Sequence, residues 1–285
     1  GSSRSMLSPF FAGELFGAGQ PLDARKYFII LPDAIGTGKT SKPSDGLRMK
    51  FPKYNYDDMV KVQHRLVSEH LNIEHLRMVM GFSMGGMHTW LWATKYPNML
   101  DIAVPMASFP TEMSGRNWMM RRLLTESIKN DPDWQGGNYT KQPHNFQLAY
   151  LFFGVGTNGG EQALFKKAPT RILADDYLNQ RLSKTFDADA NDYIYQWDSS
   201  RDYNASPNLG AIKAYVLAVN SDDDERNPRS LKIMEREMKK VKNGREVVIR
   251  GSEETWGHGT VLQAHRWKEE LDSVLKSAPT IYSDD

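Results

Sequence analysis

The chain has 285 residues, of which 40% are hydrophobic and 11% aromatic, enough to bury the core of one large α/β domain with an inserted subdomain. Its 36 basic and 35 acidic residues leave a formal charge of +1, which argues against a surface for nucleic acid or anionic membranes and favours a small-molecule partner. The absence of cysteine excludes disulfides and thiolate chemistry, and no apolar run approaches the length of a membrane span.

Two apolar segments open the chain. Residues 6–16 place apolar side chains at mixed helical spacing, and residues 27–31 are apolar throughout, which is typical of a strand inside a parallel sheet. The loop at residues 33–40 ends in Gly-Lys-Thr, like a phosphate-binding P-loop. The glycine that such a loop needs five places before Gly38 is Asp33 here, so we predict no nucleotide cofactor.

The central motif joins a strand to a helix. An apolar strand at residues 76–80 leads through the sequence Gly-Phe-Ser-Met-Gly-Gly into a helix at residues 87–96, which Pro97 ends. This sequence matches the G-x-S-x-G nucleophile elbow, in the strand, turn and helix context that the motif requires. The motif therefore predicts a nucleophilic serine rather than a plain glycine-rich turn.

Each residue of this turn has an expected role. We expect Gly81 and Gly85 to let the strand and the helix approach closely. Ser83 is then held strained at the tip of the turn, with its hydroxyl beyond the carboxyl end of the sheet. The amide of Met84 is the expected oxyanion donor at the start of the helix.

The rest of the chain alternates strands with helices. A helix at residues 56–71 precedes the elbow, further strands are predicted at 101–106, 214–220 and 246–250, and further helices at 228–241 and 260–275. This alternation predicts an α/β fold with a mostly parallel sheet flanked by helices.

A long stretch interrupts this alternation between residues 111 and 206. Strand-like runs are absent there, which predicts a helical cap inserted between two parts of the core, residues 1–110 and 207–285. Its helical segments carry the large aromatic residues Trp118, Trp134, Phe146, Tyr150, Phe152, Phe153 and Trp197. These side chains either line an acyl or alcohol pocket or form the insertion's own core, and the sequence favours neither interpretation.

A nucleophilic serine needs an imidazole to take its proton and a carboxylate to orient that imidazole. In a fold of this type the partners follow in the order serine, acid, histidine. The acid is expected after the strand at 214–220, where three aspartates are adjacent. We favour Asp224, four residues before Pro228, with Asp223 second; the other acids of this turn are expected to be solvated or to cap a helix.

The expected base is His258, in a loop between the last strand and the last helix. Gly257 and Gly259 flank it and allow the loop to bring its ring to the serine. His265 is the other histidine after the acid, and its place on the predicted final helix favours a structural role. The histidines on the earlier helices are expected to be packing residues.

With these residues in place, the chain resembles the α/β-hydrolase superfamily and, within it, the homoserine O-acetyltransferase-like branch. The resemblance covers nearly the whole chain and is carried by residues 81–86, 131–139, 187–193 with 202–203, and 257–258. The loop at residues 33–40 is similar to the D-x-x-G-x-G-x-S loop of α/β-hydrolases, which explains its likeness to a P-loop.

The chain departs from the family pattern in two places. In the acetyltransferases an aspartate that meets the substrate amine follows the catalytic histidine; here the residue is Gly259, which favours a simple ester hydrolase. Family members also have strands and a His-Gly oxyanion motif before a loop that resembles residues 2–11, and the chain is expected to begin just after that motif. In the usual fold a third strand lies between the strands assigned here to residues 27–31 and 76–80, and we expect that strand to be missing from the sheet. We expect a rearranged front edge, a homodimer contact that supplies backbone partners, or a weakened enzyme.

The leading hypothesis is a hydrolase of short acyl esters that uses Ser83, His258 and Asp224, without a cofactor or metal. A close alternative transfers an acetyl group from acetyl-CoA to a small hydroxylated acceptor such as homoserine. A third hypothesis, of a different class, is a catalytically silent scaffold used for binding. Arg116 and Tyr139 in the insertion are candidate substrate contacts, with surface or packing roles as the alternative.

Overall fold

The computed structural model describes residues 7–281, which fold around a four-stranded parallel sheet in the order β1-β2-β3-β4. The strands are β1 (Leu76–Phe82), β2 (Leu100–Met106), β3 (Tyr215–Ser221) and β4 (Gly244–Ile249). Because all three pairings are parallel, the carboxyl ends of the strands lie along one edge of the sheet. This edge is where ligands bind in open α/β sheets.

Helices surround the sheet. Those in the described range are α1 (Ala12–Leu15), α2 (Tyr56–Arg65), α3 (Met84–Lys95), α4 (Gly115–Lys129), α5 (His144–Asn158), α6 (Glu161–Lys167), α7 (Arg171–Leu182), α8 (Ala190–Asp198), α9 (Ile233–Met238) and α10 (Lys268–Ser277). A π-helical turn, Leu66–His70, continues α2. Within residues 7–281, no helix is long and apolar enough to cross a membrane.

Alternate side chains of the strands belong to two separate cores. In β3, Val216 and Ala218 pack with the buried faces of α2 and α3, whereas Leu217 and Val219 pack with α1 and α10. This alternation follows from the two-residue period of a strand. The sheet is therefore covered by helices on both faces, as the predicted fold class requires.

The inserted stretch at residues 111–206 contains α4 to α8 and none of the four strands. It has a core of its own, formed by Leu124, Ile128, Phe146, Phe153, Ala190 and Ile194, with Trp134, Tyr139 and Trp197 packed against it. Part of the aromatic set thus serves as the insertion's own core. The boundaries that we assign to the insertion stay a prediction.

The strand predicted at residues 27–31 is wrong. The segment has no regular secondary structure, and Phe28 is 78% exposed. A strand needs a neighbour with which to exchange hydrogen bonds. Among residues 7–281 no strand lies beside this segment, and none lies beside the outer edge of β1. Of the helix predicted at residues 6–16 only α1 forms, and residue 6 lies outside the described range.

Two predicted helices are shorter than their apolar patterns indicate. The last helix begins at Lys268 instead of residue 260, after 3₁₀ turns at Gly257–Leu262 and Ala264–Arg266. Gln263, with ψ of 77°, and Trp267, with φ of −146°, leave the α-helical conformation, which interrupts the helix before Lys268. The indole of Trp267 donates to the carbonyl of Val261 at 2.8 Å within this segment. The helix predicted at 228–241 forms only as α9, because Lys232 adopts a left-handed conformation with φ of 50°.

Candidate active site

Ser83 lies in the tight turn between β1 and α3. Its backbone is strained, with φ of 55° and ψ of −112°. A Cβ atom on Gly81 would lie 2.2 Å from the carbonyl oxygen of Gly85, so only glycine fits there. A Cβ on Gly85 would meet nothing within 4 Å, and the close-approach role that we predict for Gly85 is wrong. The elbow therefore depends on Gly81 for the contact of strand with helix.

The serine is the first member of a hydrogen-bonded chain of three side chains. The Nε2 atom of His258 lies 2.8 Å from Oγ of Ser83, and its Nδ1 atom lies 2.9 Å from Oδ2 of Asp224. His258 and Asp224 are 4% and 1% exposed. The serine follows β1, the aspartate follows β3 and the histidine follows β4, so the parallel sheet brings together residues far apart in sequence.

The neighbouring aspartates have other partners. Asp223 accepts hydrogen bonds from the hydroxyl of Thr255 at 2.6 Å and from that of Ser221. Asp222 accepts from the amide of Gly251. The bonds from Thr255 and Gly251 tie the turn after β3 to the loop after β4, and Asp224 is the member of the trio that faces His258.

The carboxylate of Asp224 is held by further donors. It accepts from the amide of Arg226 at 2.8 Å and from the side chain of Asn227 at 2.9 Å, and Asn227 also donates to the carbonyl of Ala107. Burial by itself raises the pKa of Asp224, but the charge and hydrogen bond of His258, with these donors, outweigh it and hold the pKa below its usual value. The group is thus a carboxylate that can orient an imidazole.

The pKa of His258 is also lowered. Burial is the largest cause, and the nearby charges of Arg226 and Arg121 add to it, whereas Asp224 opposes it. A lowered pKa keeps the ring neutral near pH 7, where Nε2 can accept a proton. Gly257, with φ of 57°, shapes the turn that delivers the ring.

Of two other histidines, His88 has the expected packing role and His265 is exposed. His88 is buried on α3 against the ring of Tyr56 and 3.2 Å from the side-chain amide of Gln63, and burial lowers its pKa to about 3. His265 lies in the 3₁₀ turn before α10. Neither makes a hydrogen bond with Ser83 or Asp224.

Two cavities reach Ser83. The larger, of about 1130 Å³, lies between the insertion, the outer edge of β1 and residues 27–32, and its wall includes Tyr150, Phe153 and Trp197. The aromatic set of the insertion thus lines a pocket as well as a core. The smaller cavity, of about 400 Å³, also includes His258 in its wall.

The two candidate substrate contacts occupy different places. Arg116 lines the smaller cavity, where its exposed side chain forms an ion pair with Glu225. Tyr139 lines neither cavity; its hydroxyl donates to Asp189 at 2.5 Å and accepts from the amide of Ala190 at 2.9 Å. The geometry gives Tyr139 a role in holding the insertion together.

Sequence reasoning missed three residues of this site: Arg121, Arg226 and Asn227. Asn227 supports the aspartate, and the two arginines line both cavities. Arg226 and Asn227 lie in the acidic turn itself, so the one available signal was their adjacency to the predicted acid. No local pattern distinguishes Arg121 from the exposed Arg122 beside it.

Comparisons with known proteins place these features in context. A family model described as alpha/beta hydrolase fold matches residues 12–255. The chain is 30% identical over 285 residues to a homoserine O-acetyltransferase of Solidesulfovibrio magneticus, a match that covers 87% of this chain and 70% of that protein. It spans only 48% of one other curated homoserine O-acetyltransferase and 56% of another.

Solved structures show the same fold. A homoserine O-acetyltransferase from Bacillus anthracis superimposes with a TM-score of 0.80 at 22% identity, covering 93% of this chain and 80% of that one. An acetylester hydrolase from Corynebacterium glutamicum gives a TM-score of 0.80 at 20% identity, covering 97% of this chain and 83% of that one. The fold is therefore shared by proteins named for two different reactions.

Proposed function

Because the chain belongs to the α/β-hydrolase fold family, in its homoserine O-acetyltransferase-like branch, we propose that it hydrolyses short acyl esters through a covalent acyl-enzyme. The observation that carries this proposal is the unbroken hydrogen-bonded chain from Ser83 through His258 to the buried Asp224. A buried carboxylate and a buried imidazole are held in contact at some expense in stability, which is typical of a working site.

The geometry suggests how each step would proceed. Oγ of Ser83 attacks the ester carbonyl while Nε2 of His258 takes the hydroxyl proton, and Asp224 stabilises the resulting imidazolium. His258 then returns this proton to the departing alcohol, which leaves an acyl group on Ser83. Water attacks the acyl-enzyme with its proton passing to His258, and the carboxylic acid departs as Ser83 regains a proton.

The oxyanion would form at the amino end of α3. Met84 is the first residue of that helix, so its amide lies where the developing negative charge is expected. This position at the first turn of the helix is the reason why we assign the amide of Met84 as one donor of the oxyanion hole.

Acetyl transfer to a hydroxylated acceptor is the second candidate, and the names of the relatives favour it. It uses the same acyl-enzyme, with an alcohol in place of water as the attacking group. The residue after the histidine is Gly259, and a Cβ atom placed on it would have Cβ of Trp256, at 3.6 Å, as its nearest neighbour. This position therefore presents no side chain to an acceptor amine, which favours hydrolysis.

The first experiment compares p-nitrophenyl acetate hydrolysis by the wild type and by Ser83→Ala, with Ser230→Ala as a control serine on the wall of the smaller cavity. We expect Ser83→Ala alone to abolish turnover. The assay is repeated with acetyl-CoA and homoserine. Transfer that outpaces hydrolysis would establish the acyltransferase in place of the esterase.

A separate measurement tests the hypothesis of a catalytically silent scaffold. A fluorophosphonate probe labels an activated serine and ignores an inactive one, so we expect it to label the wild type at Ser83. Absence of labelling, together with equal ester hydrolysis by the wild type and Ser83→Ala, would reject both enzymatic functions for this chain.

A further inference from the structure

Two arginine side chains border both cavities that reach Ser83. Arg121 comes from α4 of the insertion and is 6% exposed, and Arg226 comes from the turn after β3 and is largely buried. A guanidinium is always charged, and its burial is unfavourable unless an anion lies beside it. A buried arginine at a catalytic cavity is therefore expected to have an anion as its partner.

No carboxylate of the described residues forms an ion pair with either arginine, and the nearest charge of opposite sign is that of Asp224, which acts on Arg226. Both arginines bond to neutral groups instead. Arg121 donates to the side chains of Asn117 at 3.0 Å and Ser200 at 3.3 Å. Arg226 donates through Nε to Thr157 at 3.2 Å, and within the described range its two terminal nitrogens donate to no protein atom. Those nitrogens are left for a ligand.

Aromatic rings hold both guanidinium groups in place. That of Arg121 lies 4.4 Å from the ring centre of Trp197, and that of Arg226 lies 4.7 Å from the ring centre of Phe153. The two rings pack edge to face with their centres 4.5 Å apart. The Phe153–Trp197 pair therefore contacts both guanidinium groups, which fixes their positions without neutralising their charge.

The surroundings add to the positive potential. Besides Arg77, which is paired with Asp101, the larger cavity is lined by Arg121, Lys167, Arg181 and Arg226, and Glu253 is the one carboxylate among its described lining residues. This excess contrasts with the nearly balanced charge of +1 for the whole chain. Like charges gathered in a cleft with apolar walls attract ions of the opposite sign. Consistent with this, Arg121 and Arg226 both lower the pKa of His258.

We propose that Arg121 and Arg226 form an anion subsite beside Ser83, and that the preferred substrate is an ester that carries a carboxylate. The planar guanidinium fork suits a carboxylate, and hydrogen bonds between ionised partners are stronger than neutral ones. This inference rests on the proposed ester hydrolysis and adds a substrate class to it. The carboxylate belongs either to the acyl part or to the alcohol part of the ester, and the two sources have separate tests.

The test uses acid and amide pairs of equal shape. Monomethyl succinate against methyl succinamate probes a carboxylate on the acyl part, and acetoxyacetate against acetoxyacetamide probes one on the alcohol part. We expect the wild type to favour the acid of one pair by at least about tenfold in kcat/KM, since a site that binds a charged group discriminates against its neutral analogue. The pair that shows the preference identifies the source.

The variants are Arg226→Gln and Arg121→Gln, with Arg122→Gln as the matched control, because Arg122 is exposed on the same helix and pairs with Glu126. We expect the first two to erase the preference and the control to keep it. A ratio of two substrates is independent of the fraction of folded enzyme, so partial misfolding does not obscure it. Arg226→Lys keeps a charge and is expected to restore part of the preference.

A binding measurement separates this inference from the proposed reaction. Calorimetric titration of Ser83→Ala with succinate and with acetoxyacetate is expected to show binding that Arg226→Gln removes. Binding without any ester hydrolysis by the wild type would support the subsite and reject the hydrolase. Hydrolysis with equal rates on acid and amide in both pairs, or a preference that survives both arginine substitutions, would overturn the subsite.

Discussion

Each side chain of this site depends on the next one along a chain of hydrogen bonds. His258 can act as a base only if its Nδ1 is held by Asp224, and Asp224 keeps its charge because Asn227 and the amide of Arg226 donate to it. Burial works against both ionised forms. At Asp224 the charge of His258 and the hydrogen bonds outweigh it, whereas at His258 burial prevails and keeps the ring neutral. We therefore expect a substitution that removes one of these hydrogen bonds to lower the rate of catalysis by more than its effect on stability would explain.

We expect Asp224→Asn to lower kcat for ester hydrolysis by a factor on the order of 10³ or more, because an amide can hold the imidazole in the wrong tautomer. Asp223→Asn is the matched control, since Asp223 bonds to Thr255 and Ser221 rather than to the histidine. We expect it to lower kcat by less than about tenfold. Steady-state kinetics of both purified variants check this, and equal losses would contradict the assignment of Asp224.

The pH dependence of hydrolysis should respond to Arg226. Its positive charge disfavours a protonated His258 and contributes to the lowered pKa of that ring. Removal of the charge in Arg226→Gln raises the pKa of His258, so the ring becomes protonated, and stops acting as a base, at a higher pH. We expect the acid limb of kcat/KM for a neutral ester to shift to higher pH in Arg226→Gln and to stay in place in Arg122→Gln. A shift to lower pH would contradict the electrostatic role.

At the scale of secondary structure, the elbow offers a sharp contrast between two glycines. A methyl group on Gly81 collides with the backbone of α3, whereas one on Gly85 meets open space in a helix, where alanine is favoured over glycine. We expect Gly81→Ala to lower the free energy of unfolding by about 1–3 kcal/mol and Gly85→Ala to leave it unchanged or slightly raised. Urea unfolding of both variants measures this, and similar losses would show that the steric account is incorrect.

Elements fixed by local pattern were predictable from sequence, and elements that need a distant partner were not. The strand, turn and helix around Ser83 carry their own signals, and β1 and α3 form as expected apart from shifts of a few residues. Residues 27–31 have the composition of a strand, but no neighbouring strand lies beside them in the described part of the chain. The non-helical backbone at Gln263 and Trp267, which shortens the last helix, is not revealed by any periodicity.

The same distinction applies to the candidate site. The order serine, acid, histidine led to three residues whose side chains the structure joins by hydrogen bonds. The register of the acid was open, because it depends on a hydroxyl from Thr255, which engages Asp223 from the loop after β4. The arginine pair was not foreseen, since one member comes from the insertion and the other from the core, and only the folded chain brings them to one cavity.

At the scale of the whole molecule, the insertion is hydrogen-bonded to the two loops that carry Asp224 and His258. The end of α5 and the residues after it contact both loops. The amide of Gly160 donates to the carbonyl of Asp223, and the side chain of Asn158 donates to the carbonyl of Trp256. These contacts place the insertion against the loops that carry the acid and the base. The insertion also lines both cavities that reach Ser83 and supplies one of the two arginines.

The stability of the whole fold should depend on pH through a buried carboxylate far from the site. Asp101 on β2 is 2% exposed and accepts from the amide of Ile281 at 2.6 Å, from Arg77 at 3.0 Å and from His75 at 2.8 Å. Arg77 also donates to the carbonyls of Leu275 and Ala278, so this cluster fastens the end of α10 to the sheet. Burial raises the pKa of Asp101, but these donors outweigh it and the pKa is lowered.

A carboxyl whose pKa is lower in the folded than in the unfolded chain stabilises the fold above its unfolded pKa of about 3.9, and this stabilisation is lost as the pH falls. We expect Asp101→Asn to lower the free energy of unfolding by about 2–4 kcal/mol at pH 7, because it leaves Arg77 without its anion. The difference from the wild type should shrink toward pH 3. Asp57→Asn, which breaks an exposed pair with Lys95, is the control and should have a small effect at every pH. Urea unfolding at pH 7, 5 and 3 measures these values, and a difference that stays constant with pH would show that Asp101 contributes by packing rather than by charge.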